Sequence, residues 1–236
     1  MKEPIKKSNF IYENFLVSLK DLKKIKNYFW FSFFLFFLIT FIGFLFPIFY
    51  AKEILALIKE LIQQTEGLGP LELIRFIMAN NIKSSFFAMF LGILLGIFPL
   101  AVIVINAYVL GFVANIVIEA QGFLILWRLL PHGIFEIPAI LISAALGLRI
   151  GIGIMKDCIK DYNKKISNLN LILLMILSLL FFPIAFLIYM VFTFSKKYLR
   201  KKFYKNIFLS LRIFVFIVIP LLVIAGIIEG FLITLI

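Results

Sequence analysis

A chain of 236 residues that is 64% hydrophobic, with 30 Phe and a mean hydropathy of +1.12, has more apolar surface than a soluble domain of that size can bury. Its apolar residues come in blocks longer than the roughly 20 residues that cross a bilayer core, and they do not alternate, which points to helical spans and excludes a β-barrel. The formal charge of +12 is broken into short juxtamembrane blocks suited to anionic lipid, so nucleic acid is excluded as a partner, and the single cysteine, Cys158, excludes an internal disulfide. The expected class is an all-α, polytopic helical membrane protein of about five spans.

Residues 1–28 carry Lys2, Lys6, Lys7, Lys20, Lys23, Lys24 and Lys26, with Ile11, Phe15, Leu19, Leu22 and Ile25 recurring at helical spacing. A basic amphipathic helix on the membrane surface is expected there. Residues 29–236 read as a single membrane domain. Its first span, about 29–50, is followed by no small-residue cleavage site and reads as an uncleaved anchor. Over 51–83, Ile54, Leu55, Ile58, Leu61 and Ile62 form one stripe, "EGLGP" breaks it, and "LELIRFIMANN" opens a second short helix. This predicts an amphipathic hairpin resting on the opposite membrane face.

The tract 86–118 reads as one long span, kinked at Pro99, Asn106 and Gly111. Residues 123–131 are too short to cross and read as a re-entrant or interfacial elbow. Spans at 134–155, 169–194 and 207–228 complete the five. Lysine and arginine excess assigns the N-terminus to the cytoplasm and the C-terminus to the outside of the cell membrane. One loop resists this assignment. Residues 156–168 hold Lys156, Lys160, Lys164 and Lys165 yet fall outside. Dividing the 86–118 tract would bring that loop inside but expel "SKKYLRKKFYKN" (195–206), which has six positive charges and no negative one.

Ala139, Ser143, Gly147 and Gly151 fall at intervals of four, and Ala88, Gly92 and Gly96 repeat the pattern. Ridges of small residues let helix backbones approach closely, so packing within the chain is expected, with homo-oligomerisation through one ridge as the alternative.

The stretch 128–151 combines Arg128, Pro131, Gly133 and Pro138 with the sole histidine, His132, and with Glu136 one helical turn later. Three readings compete. In the structural one, Pro131 and Gly133 set a turn, Glu136 sits at the positive end of a helix, Arg128 pairs with it, and the elbow is locked near Asn106. In the second, His132 and Glu136 are ionisable groups in a small transporter or permeation pathway. In the third they are catalytic, but a metal site needs more ligands than one histidine, and Ser143 lies about three turns from His132. The structural reading ranks first, with no catalytic residue, metal or cofactor. Arg149 reads as a snorkelling end-anchor.

The segment "LPHGIFEIPAILISAALGLRIG" (130–151) resembles the signature of the stage II sporulation protein M family of integral membrane proteins. "NN" at 80–81, "GILLGIFP" at 92–99 and "NAYVLG" at 106–111 match in order, with Ala107 standing where the family usually has glycine. The resemblance runs from about residue 10 onward. It implies an all-helical fold of about five spans and no enzymatic activity. The sporulation member serves as the membrane component of a complex with peptidoglycan-degrading partners during engulfment. The matching positions Asn80, Asn81, Asn106, Gly111, Pro131, His132, Gly133, Glu136, Pro138 and Gly147, together with Arg128, are the candidate functional motif. The expected role is a scaffold or anchor for other membrane or envelope proteins, contacting them through 51–83 and the elbow at 128–138.

Overall fold

A computed structural model describes residues 9–124, 130–162, 191 and 194–234. Helix α1 (Phe10–Leu22) passes through a short 3-10 turn (Lys23–Ile25) into α2 (Lys26–Leu45). There follow α3 (Ala51–Thr65), α4 (Pro70–Phe90), α5 (Ile97–Gln121) and α6 (Leu130–Tyr162). Then α7 (Lys197–Ile213) continues through a π-helical turn (Phe214–Val218) into α8 (Ile219–Thr234). The described residues contain no strand, and five helical stretches are long and apolar enough to cross a membrane: 10–45, 70–93, 97–121, 133–153 and 197–232.

The break between α3 and α4 falls where the sequence places it. Gly67 takes a positive φ of 80°, and Pro70 opens α4, where its missing N–H has no partner to lose. The Gly69 N–H donates to Glu72 Oε2 at 3.0 Å, closing the first turn. But the second helix is not short. It runs through Asn81 to Phe90 and, with a 3-10 turn, to Ile93.

The single kinked span expected over 86–118 is therefore two helices. The chain reverses at Leu94–Gly96, where Leu95 and Gly96 have positive φ values of 56° and 79° and the Gly96 N–H donates to the Gly92 carbonyl at 2.9 Å. This is the left-handed close that ends helices. Pro99 does not kink α5; it sits in its first turn, where proline is tolerated. Asn106 and Gly111 lie inside an unbroken helix. The region 70–93 escaped the sequence reading because its hydropathy, 1.3, is the lowest of the five.

The lysine-bearing segments gather at one end of the described bundle. Arg149 on α6 donates to the Lys24 carbonyl and to Asn206 Oδ1, both at 3.1 Å. The C-terminal half of α6, the start of α2 and α7 thus meet at one end of the bundle. Lys156 and the 195–206 cluster share that end with Lys20 to Lys26. At the opposite end, Gly226 and Gly230 of α8 pack on Met78 and Ile74 of α4. The expected span 169–194, apart from residues 191 and 194, lies outside the described residues, as does most of the elbow.

The core centres on α6, 61% of whose apolar window is buried, against 17–39% for the others. Ala139, Ala144, Ala145, Leu146 and Leu148 are fully enclosed. One cluster joins α6 to α4, α7 and α8 through Met89, Leu199, Ile213 and Leu222; a second joins it to α2 and α5 through Phe36, Ile103 and Ala107. Outward-facing Phe31, Phe34, Phe37 and Phe41 of α2 remain for lipid.

Candidate functional site

The motif pieces that stood apart in sequence form one close helix crossing. A Cβ on Gly147 would lie 2.3 Å from the Ala88 carbonyl oxygen and 2.7 Å from Pro99 Cγ. A Cβ on Gly92 would lie 2.2 Å from the Gly147 carbonyl oxygen, and one on Gly151 would lie 2.3 Å from that of Gly92. The two small-residue ridges thus face each other inside the chain, which is the packing role expected for them. Gly111 belongs to a different crossing, where its Cβ would lie 2.1 Å from the Thr40 carbonyl oxygen on α2. Beside it, the Tyr108 hydroxyl lies 2.7 Å from the Phe46 carbonyl oxygen and 2.6 Å from that of Phe49, tying α5 to the end of α2.

The remaining motif residues divide. Pro131, His132 and Gly133 lie in the first turn of α6, and Pro138 lies inside it. Among the described residues, a Cβ on Gly133 would meet Ile137 Cδ1 at 3.7 Å and no closer atom. Arg128 is outside the described residues, so its pairing with Glu136 is too. Asn80 is exposed and Asn81 half-buried on α4. Asn106 does not lock the elbow through its amide: its Nδ2 donates to the Val102 carbonyl one turn back in its own helix, at 2.8 Å. Glu136 is half-buried and comes within electrostatic reach of Glu229 on α8. The two carboxylates are 93 positions apart in the chain. Among the described residues no group of three or more His, Cys, Asp or Glu is placed to hold a metal ion.

Sequence reasoning missed a polar cluster at the basic end. Asp21, only 3% exposed, accepts hydrogen bonds from Lys24 Nζ and Arg212 Nη2, each at 2.5 Å. Burial by itself would raise the Asp21 carboxyl, but the two cations outweigh it and hold the carboxyl below its ordinary value. Arg149 is likewise more than an end-anchor, since its guanidinium bridges the chain segment at Lys24 to Asn206. No periodicity marks either contact, because each joins residues far apart in the chain.

Helices of this length and apolarity, packed through glycine crossings around a buried central helix, define a multi-pass helical membrane protein. The model of the family described as Stage II sporulation protein M matches residues 32–233, most of the chain, and the protein belongs to that family. It is also similar to an uncharacterized protein of Methanocaldococcus jannaschii, with 39% identity over 85 residues, a match that covers 36% of each chain. The match therefore spans well under half of that relative. No solved structure matches the chain.

Proposed function

We propose that the protein is a non-enzymatic membrane scaffold, with its basic end and N-terminus in the cytoplasm and its C-terminus outside, that holds other envelope proteins through α3. The observation that carries this reading is the state of α3. Ile54 is buried, but Leu55, Leu61 and Ile62 on the same stripe are 52%, 46% and 59% exposed, and α3 packs extensively against no other described helix. It lies at the end of the bundle away from the lysine clusters. An amphipathic helix left uncovered there suits either the interface or a partner's groove. Family membership supports the role type, and the glycine-locked bundle supplies a rigid base for it.

The test is mass spectrometry of proteins co-purified from native membranes in mild detergent. Wild type is compared with a Leu55→Ser/Ile62→Ser double variant and with Glu136→Gln. Specific partners held by the wild type and lost from the α3 variant are the expected result. The same partners in both, or a bare homo-oligomer in both, would end the proposal.

A second reading, a small permeation pathway using His132 and Glu136, draws on the proximity of Glu136 to Glu229. Carbodiimide labelling of Glu136 that a transported solute blocks would select it over the scaffold.

A further inference from the structure

At the basic end a cleft of about 590 Å³ opens between α1 and the α7–π-turn segment. Its volume is in the range of small-molecule sites, roughly 300–1,000 Å³. Along the helix Lys205, Phe208, Arg212, Val215 and Phe216 follow in that order, with Lys24 also lining the cleft, so Phe208 lies between the two cations of this helix and the lining beyond Arg212 is apolar. Lys205 and Phe216 are 11 positions apart on one continuous helix, about 16 Å at 1.5 Å per residue. The cleft therefore runs from the cationic face of the bundle into its apolar belt.

The charges in it are not all spent. Asp21 is the acidic partner given to both Lys24 and Arg212, so these three groups carry a net positive charge. Arg212 commits Nη2 to Asp21, while its Nε is buried without a hydrogen-bond partner among the described residues. Lys205 is exposed and adds a further cation. On the apolar side, Phe208 is 70% and Val215 48% exposed, apolar surface that an acyl chain can cover. The π-turn that holds Val215 and Phe216 has a local cause. Pro220 lacks the N–H that would bond the Phe216 carbonyl, so the regular helix ladder is loosened there.

We propose that this cleft seats one anionic phospholipid, its phosphate between Lys205, Arg212 and Lys24 and an acyl chain along Phe208, Val215 and Phe216. A free anion satisfies only the first half of this lining and a neutral lipid only the second. The seat is distinct from the general attraction of lysines for anionic membranes, because it names one helix face.

The experiment is native mass spectrometry of the full chain in detergent, titrated with phosphatidylglycerol or with phosphatidylcholine of the same acyl chains. Wild type is expected to hold one phosphatidylglycerol several-fold more tightly than phosphatidylcholine. Lys205→Gln should weaken the phosphatidylglycerol adduct about fivefold, the value of roughly one cation near a phosphate. Lys201→Gln removes the same charge from the same helix outside the cleft and should change it less than twofold. Phe208→Ser should weaken both lipids. Both lysines and Phe208 are exposed, so these variants keep the fold. Equal losses from Lys201→Gln and Lys205→Gln would reduce the effect to diffuse surface charge and overturn the seat. Equal binding of the two lipids would do the same. Displacement of lipid by inorganic phosphate, with no effect of Phe208→Ser, would make it an anion site and refute the lipid.

Discussion

Gly147→Ala adds one methyl group at a close helix crossing in the motif. The new Cβ would stand 2.3 Å from the Ala88 carbonyl oxygen, about 1.1 Å short of ordinary contact, with Pro99 Cγ at 2.7 Å and the Met89 carbonyl oxygen at 3.2 Å. Two of these obstacles are backbone and the third is a ring, so none can rotate away. The helices must separate instead, along an interface that also holds Gly92 and Gly151. Overpacking of this kind costs about 1–3 kcal/mol, here near the upper end. Alanine recovers about 1 kcal/mol of helix propensity. The expected net loss is about 2 kcal/mol, roughly thirtyfold in the folding equilibrium. Gly133→Ala in the same helix is the internal control. Among the described residues its Cβ meets only Ile137 Cδ1, at 3.7 Å, so it should be neutral or stabilising. Reversible unfolding of both variants in mixed detergent micelles measures the difference. If Gly147→Ala is as stable as Gly133→Ala, the crossing is not closed by glycine, and the account of the motif as a packing device fails.

Further expectations follow from the contacts between helices. Asp21 has a lowered carboxyl in the folded chain, so its contribution is fully present above its ordinary value of about 4 and is lost as pH falls through the lower folded value. Thermal unfolding in detergent should thus show an acid-side loss that Asp21→Asn removes, being already less stable at neutral pH; an unchanged acid profile in that variant would contradict the assignment. Arg149→Lys cannot reach both the Lys24 carbonyl and Asn206, and should destabilise by about 1–2 kcal/mol in the same unfolding assay. Tyr108→Phe removes the hydroxyl held by the Phe46 and Phe49 carbonyls, at about 0.5–1.5 kcal/mol. Hydrogen exchange should rise over 46–50 in that variant and stay as it was over 139–151.

Membrane class and helical content were legible from the sequence because lipid admits few solutions: long apolar runs without alternation must be helices. The stop at "EGLGP" was legible for a similar reason, since glycine and proline act on the local backbone. So were the ridges at Ala88–Gly96 and Ala139–Gly151, because the spacing of small residues is a property of one helix. The division of the 86–118 tract was not. It depends on Leu95 and Gly96 taking left-handed conformations, and Leu95 is a residue that local preference would never nominate. Its place is set by burial, at 3% exposure, against the core it helps to close.

The sequence by itself determined the solvent, the helical class and the residues able to approach closely, since each follows from composition or from a period of a few residues. Only the tertiary structure decided which ridge meets which, that the lysine clusters gather at one end, that Asp21 meets Arg212, and that Glu136 comes within electrostatic reach of Glu229. Those pairings join segments separated by tens to nearly two hundred positions. Their physical cause is the three-dimensional packing of the helices around α6, which no local period encodes.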